Sequence, residues 1–93
     1  MKSVRRKKTN IIKWHLYILN CRDNTLYTGI TTDLERRVQQ HNKGTASRYT
    51  RSRLPVTLVY HEPCRGRSQA LKKEYALKQL SRTEKRGYIK NNG

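Results

Sequence analysis

The longest uninterrupted apolar run in this chain is four residues, Leu16 to Leu19. A membrane-crossing helix needs about 20 predominantly apolar residues, so none is expected here. The chain has to fold by laying short amphipathic pieces against one another. Apolar residues make up 33% of its 93 positions, whereas an ordinary globular domain has about 45–50% with glycine included. One small core fits that supply, and a second does not. Leu, Ile and Val nevertheless recur in short ordered patterns, which sets the chain apart from disordered sequences.

The formal net charge is +16, from 22 Lys and Arg against 6 Asp and Glu. Five of the basic residues fall in the first ten positions, and residues 1–12 read as a flexible basic arm. The other seventeen lie in the rest of the chain, so the basicity belongs to the folded body as well. Like charge at this density opposes compaction unless an anionic partner relieves it. Nucleic acid is the first candidate for that partner. An anionic membrane surface ranks behind it, because no helix with a large apolar face is apparent. The basic start is not followed by the apolar stretch of a secretory signal, which points to the cytoplasm. Cys21 and Cys64 are accordingly expected to be free thiols. No CxxC or HxxxH spacing suggests a structural zinc site.

Residues 13–90 read as a single domain. Trp14 to Asn20 alternates and is rich in strand-forming residues, with Trp14, Leu16 and Ile18 on one face and His15, Tyr17 and Leu19 on the other. A polar turn over residues 21–25 leads to a second strand, Leu26 to Ile30, with Tyr27 and Gly29 on one face. Thr32, Asp33 and Glu35 form a capping-box pattern, with Thr32 as the cap, for a helix that runs to about Asn42 and stops at Gly44. Leu34, Val38 and His41 share one stripe of that helix, and Arg37 borders it. A polar basic stretch over residues 43–55 follows, with room for a short helical turn at Tyr49. Pro55 precedes a third strand, Val56 to His61, and Pro63, Arg65 and Gly66 make the next turn. Ser68 is placed as the cap of a helix reaching about Leu80, with Ala70, Leu71, Tyr75 and Leu77 as its apolar arc. Ser81 and Glu84 form a second capping box, for a last helix over residues 82–90. The order β-β-α-β-α-α fits an α/β chain of the α+β type: a three-stranded antiparallel sheet flanked by helices.

Four features carry chemistry. Glu74 falls within the apolar arc of its helix, where a carboxylate is costly unless paired or bound to a metal. An (i, i+4) pair with Lys78 at the edge of the core also accounts for it. His41 on its apolar stripe is either a satisfied core residue or a catalyst. Arg37 can snorkel to water or present its guanidinium to a phosphate. Tyr17 and Tyr27 on the hairpin arms are either a cross-strand packing pair or phenols acidified by nearby cations.

Taken together, Tyr17, Tyr27-Thr28-Gly29, Arg37, His41 and Glu74 resemble the motif set of the GIY-YIG nuclease domain in order and spacing. The segment from Leu26 through Arg36-Arg37 to His41-Asn42, the Tyr49-Thr50-Arg51 triplet before Pro55-Val56, and Ala70 to Glu74 resemble the short stand-alone bacterial members of that superfamily. The likeness covers about residues 14–85. Two motif positions depart from the family pattern: His15-Leu16-Tyr17 stands for Gly-Ile-Tyr, and Tyr27-Thr28-Gly29 for Tyr-Ile-Gly. No late asparagine of the kind some members use is matched, since Asn91 and Asn92 lie in the tail.

The resemblance implies a metal-dependent endonuclease that hydrolyses phosphodiester bonds, in DNA ahead of RNA, with a role in repair or recombination. Tyr17 and Tyr27 would orient or activate the attacking water. Arg37 would bind the scissile phosphate, and His41 would assist through hydrogen bonds to the tyrosines. Glu74 would hold one divalent cation, Mg²⁺ or Mn²⁺, and Gly29 would permit a close approach of backbone or substrate. Arg48, Thr50, Arg51, Lys72 and Lys73 are the expected nucleic-acid contacts. No added recognition domain accompanies the motif set, so a protein partner is expected to supply target choice, within the bacterial cytoplasm or nucleoid. The alternative from another class is a non-catalytic nucleic-acid-binding accessory that keeps the nuclease fold.

Overall fold

A computed structural model describes residues 13–93; the basic arm expected over residues 1–12 lies outside them. Seven elements follow in order: β1 (Trp14–Asn20), β2 (Leu26–Thr31), α1 (Leu34–Asn42), α2 (Arg48–Arg51), β3 (Thr57–Cys64), α3 (Arg67–Lys78) and α4 (Arg82–Asn92). The strands form one antiparallel sheet in the order β2-β1-β3. This is the expected α+β architecture with the short helix α2 added.

The central strand shows why the alternation at residues 14–20 matters. β1 pairs on both edges and is covered on both faces, so Leu16, Tyr17, Ile18 and Leu19 are all buried. The pleat sends Leu16 and Ile18 into a core with Leu26, Tyr60, Cys64, Ala70 and Leu77. It sends Tyr17 and Leu19 the other way, into a second cluster with Cys21 and Val56 that Tyr27, Leu34 and Val38 flank. One face therefore carries α3 and α4, and the other carries α1. Cys21 and Cys64 are buried free thiols, each in a different cluster.

The third strand differs from expectation. It begins at Thr57 and continues through Pro63 to Cys64, where a turn was expected. β3 is an edge strand, so the missing amide proton of Pro63 removes no ladder bond from the sheet interior. Ile18 faces Tyr60 while Leu19 faces Leu58, so Val59 is an extra, bulged residue.

The helix ends shift by small, explicable amounts. Asp33, not Thr32, caps α1: its Oδ1 accepts the amide of Arg36 at 3.2 Å. Thr31 has claimed the preceding turn, its hydroxyl accepting the Asp33 amide at 3.1 Å. Gly44 closes α1 at φ +79°, the left-handed position expected of a residue after a helix. The cap of α3 is Gly66 with no side-chain bond, so Ser68 lies inside the first turn. Ser81 and Glu84 form the expected reciprocal cap of α4, at 3.2 and 2.8 Å, and the helix runs two residues past its expected end.

The largest correction concerns α3. Ala70 and Leu77 are buried, but Leu71 is exposed and Tyr75 is 70% exposed. The helix packs on β1 and β2 through its 70/77 line, with Lys73 and Glu74 half-buried on its flanks. A helix docked through a small residue sits close to the sheet. The bulky Leu71 and Tyr75 then point past the sheet instead of into it.

Candidate active site

The site grows out of the cross-strand pair Tyr17–Gly29. A Cβ at Gly29 would stand 2.5 Å from the Tyr17 hydroxyl oxygen and 2.6 Å from Cζ. Any side chain there would displace the phenol, so what approaches Gly29 is the Tyr17 ring itself. The phenol lies across the sheet face toward α1 and meets His41, whose Nε2 is 2.9 Å from the Tyr17 oxygen.

His41 is 1% exposed, and both of its ring nitrogens are engaged. Its Nδ1 lies 2.8 Å from Thr50 Oγ1. The Thr50 hydroxyl donates its own proton to the Ser47 carbonyl at 3.4 Å, so it accepts from Nδ1–H. That network assigns the tautomer: Nε2 carries the lone pair and accepts the Tyr17 O–H. Burial, with the Arg37 guanidinium adding to it, lowers the imidazole pKa to about 4, so His41 is neutral at pH 7. A buried one-way chain thus runs Tyr17 → His41 → Thr50 → Ser47. This corrects the placing of Thr50 among nucleic-acid contacts. It is fully buried and holds the imidazole, and only the fold of residues 47–50 brings it there.

Burial pushes the Tyr17 phenol well above its ordinary pKa. Neighbouring Tyr27 and Glu74 push the same way, and the Arg37 charge opposes them without prevailing. Cation-driven acidification of this phenol is therefore not the state of the free protein: Tyr17 is a protonated donor. Tyr27 packs beside the same imidazole, its ring centroid 5.1 Å from that of His41 and 6.4 Å from that of Tyr17. Arg37 is half-buried on α1 and lines a polar cleft of about 280 Å³ with Thr31, Thr32, Asp33, Arg36 and Gln40.

Glu74 reaches the site from α3. Its side chain is 19% exposed, and its Oε2 is 3.4 Å from Lys78 Nζ, the (i, i+4) pair anticipated from the spacing. Lys78 Nζ in turn lies 6.0 Å from the Tyr27 ring centroid. The fold therefore gathers Tyr17, Tyr27, Arg37, His41, Gly29 and Glu74 in one place, from β1, β2, α1 and α3.

The expected basic contacts scatter. Arg48 and Arg51 are exposed along a shallow cleft of about 430 Å³ that also includes Gly44, Thr45, Ala46 and Ser47. Lys72 is exposed on α3 beside Arg65 and Gln69. Lys73 departs from expectation: its ammonium is bound by Glu62 on β3, so it is not a free cation. Two residues outside the expected set of site residues, Tyr49 and Arg53, stand next to the site. Tyr49 stacks on Tyr27, and Arg53 covers Tyr49. Both contacts join segments more than twenty residues apart or within an irregular loop, where periodicity carries no signal.

Residues 13–88 match the family model described as the GIY-YIG catalytic domain. The chain belongs to the GIY-YIG family. Among similar proteins, a UPF0213 protein of Desulfotalea psychrophila is 54% identical over 91 residues, spanning 97% of this chain and 83% of that one. The solution NMR structure of an E. faecalis protein is 40% identical, covers 92% of this chain and 88% of that one, and has a TM-score of 0.61. The solution NMR structure of a UPF0213 protein from Bacillus halodurans gives 38% identity, 87% and 86% coverage and a TM-score of 0.58. This GIY-YIG chain is similar to these relatives along most of its length.

Proposed function

We propose that this GIY-YIG chain is a metal-dependent endonuclease that hydrolyses phosphodiester bonds in nucleic acid, DNA first, in repair or recombination. The observation that carries the reading is the buried Tyr17–His41–Thr50 hydrogen-bond chain, whose Tyr17 end feels the charges of Arg37 and Glu74. A packing pair of tyrosines has no need of a neutral histidine aimed at one hydroxyl, nor of a threonine that sets its tautomer.

The donor set bears on the cation. Among the described residues, no three His, Cys, Asp or Glu side chains gather as a metal cluster. Glu74 has, among the described residues, a single ion-pair partner, Lys78, whose side chain is 49% exposed. One carboxylate fits Mg²⁺ or Mn²⁺, which keep several waters and accept substrate phosphate oxygens. It does not fit a closed structural site. Glu74 would hold such an ion, and the ion would supply Lewis-acid stabilisation of charge developing on the phosphate oxygens.

The protein groups do the rest. The Tyr17 oxygen keeps a lone pair that can accept a proton from an attacking water. As it does so, its own proton passes to His41 Nε2, while Thr50 keeps Nδ1–H in place. The ring nitrogen that receives the proton is thereby oriented before substrate arrives. Arg37 offers a planar fork of donors to the scissile phosphate. Tyr27 limits the position of the water from the other side of His41. Arg48, Arg51 and Lys72 add sequence-independent phosphate contacts, and a protein partner supplies target choice. The setting is the bacterial cytoplasm or nucleoid.

The test is cleavage of single-stranded, duplex and branched DNA and of RNA by the parent and by Glu74→Ala, with Mg²⁺, Mn²⁺ or EDTA. Metal-dependent cutting that the variant lacks is the expected result. Tight, salt-sensitive binding with no cutting of any substrate would replace this reading with that of a non-catalytic accessory.

A further inference from the structure

One aromatic column beside the site remains outside the chemistry just described. Tyr49 stacks on Tyr27, with ring centroids 5.8 Å apart and planes 29° from parallel. The Arg53 guanidinium carbon lies 4.0 Å from the centre of the Tyr49 ring. That guanidinium is itself fixed. Its Nε donates to Asp23 Oδ2 at 3.0 Å, and its Nη1 donates to the Tyr49 carbonyl at 2.7 Å. Asp23 is held in turn by the Thr25 hydroxyl at 2.6 Å and the Thr25 amide at 3.2 Å. The Arg22 amide closes the frame by donating to the Arg53 carbonyl at 2.9 Å. The turn between β1 and β2 and the segment after α1 are thus locked together, with Tyr49 packed against both Arg53 and Tyr27.

An exposed tyrosine in a basic protein also suits stacking on a nucleobase, so two uses compete. Both Tyr27 and Arg53 already occupy π-surface that a base would need. Arg53 would also have to give up a charge-assisted bond to Asp23 before a base could replace it. We propose that Tyr49, braced by Arg53 and Asp23, is a positioning residue that sets the angle of the Tyr27 phenol at the reactive centre. The catalytic half of this proposal rests on the role assigned to Tyr27 above; the structural half does not. Tyr27 projects from a strand with one side open. The His41 ring lies 5.1 Å from it and the Tyr49 ring 5.8 Å, centroid to centroid, and the braced column restrains it. Without that restraint the phenol can leave the position in which it limits the water.

The experiment uses the full chain with ring-labelled tyrosine, comparing the parent with Tyr49→Leu, Tyr49→Phe, Arg53→Met and Tyr27→Phe. NMR relaxation reads the order of the Tyr27 ring, single-turnover cleavage reads the chemical step, and nucleic-acid affinity is measured separately. Tyr49→Leu and Arg53→Met should loosen the Tyr27 ring. They should also lower the cleavage rate constant by roughly ten- to a hundredfold, the scale of losses from misplacing a reacting group. Affinity should change less than twofold, and Tyr49→Phe should restore both ring order and rate. Arg53→Met leaves every site ring intact, so it keeps the test open if Tyr49→Leu folds poorly. An unchanged Tyr27 ring in both variants overturns the proposal. So does weakened affinity with an unchanged rate constant, which would make Tyr49 a nucleotide contact. If Tyr27→Phe cuts as fast as the parent, it is the assigned role of Tyr27 that fails, and ring order still decides whether the column positions Tyr27.

Discussion

Glu62 and Glu74 are nearly equally buried, with side chains 14% and 19% exposed, yet they are embedded in different ways. Glu62 on β3 is saturated. Its Oε1 accepts the hydroxyls of Tyr60 at 2.5 Å and Tyr88 at 2.6 Å, and its Oε2 takes the Lys73 ammonium. Burial alone would raise its pKa, but the bonds from Lys73, Tyr60 and Tyr88 outweigh burial and hold the carboxyl below its ordinary range. Glu74 has, among the described residues, one cation at 3.4 Å and spare acceptor positions. Lys73 and Glu74 are neighbours on α3, one turned to β3 and the other to the site. The difference teaches that availability, more than burial, separates a carboxylate that can take a cation from one that fastens helices to a sheet.

The sharpest way to break that contrast is to neutralise each carboxylate. Glu74→Gln should lower the cleavage rate constant by about 10³-fold or more, since it removes a charge that acts on the transition state. Its thermal midpoint should stay within a few degrees of the parent. Glu62→Ala should do the reverse. It strands a buried phenol, a half-buried phenol and a lysine, a loss of about 2–4 kcal/mol, which is a fall of roughly 10 °C or more in a domain this small. Calorimetry and a cleavage assay on both variants decide the matter. A Glu74→Gln protein that melts early but still cuts would invert the assignment.

Acid sharpens the comparison further, because the two regions respond in separate windows. The His41 pKa is about 4 in the folded protein and near 6.5 when unfolded, so the unfolded chain binds the extra proton first. Stability from this group is complete above pH 6.5 and is lost as pH falls toward 4, by roughly 2–3 kcal/mol. The Glu62 carboxyl is also lowered on folding, so its contribution is present above its ordinary value of 4.5 and is lost only below that. Denaturant titrations from pH 7.5 to 4 should therefore show a decline that begins near 6.5 and becomes shallower in His41→Asn, the part that remains including His15, whose pKa burial also lowers. A flat profile between pH 7 and 5 would contradict the buried neutral imidazole.

The smallest effect separates the two lysines. Lys73→Gln should cost about 1 kcal/mol, because its partner is mostly buried and Lys73 is the one bond given to its Oε2 among the described residues. Lys78→Gln should change stability by less than about 0.5 kcal/mol, as half-exposed (i, i+4) pairs do. Equal losses at the two positions would mean that Glu74 depends on its lysine as much as Glu62 does.

Several features of the molecule are legible in its sequence alone. The alternation of residues 14–20 assigned both faces of β1, because the pleat has a period of two and leaves no choice once the strand is central. The Ser81–Glu84 cap was legible because both partners lie within one turn. The order of Tyr17, Tyr27, Arg37, His41 and Glu74 pointed to the family. Other parts were not legible. Thr50 was counted as a surface contact because its bond to His41 spans an irregular connection. Glu62 drew no attention, since its three partners come from β3, α3 and α4 and share no local pattern.

Helix α3 marks the boundary between the two kinds of information. Its sequence set the angular order of Ala70, Leu71, Glu74, Tyr75 and Leu77, since 3.6 residues per turn allows only one arrangement. It did not set which part of that ring would face the sheet. Packing through Ala70 and Leu77 decided that, leaving Tyr75 in solvent and turning Glu74 toward Tyr17. Local periodicity is a property of one chain segment and can be read from it. The choice of a face depends on the shape of the surface opposite, and that surface exists only once distant segments have met.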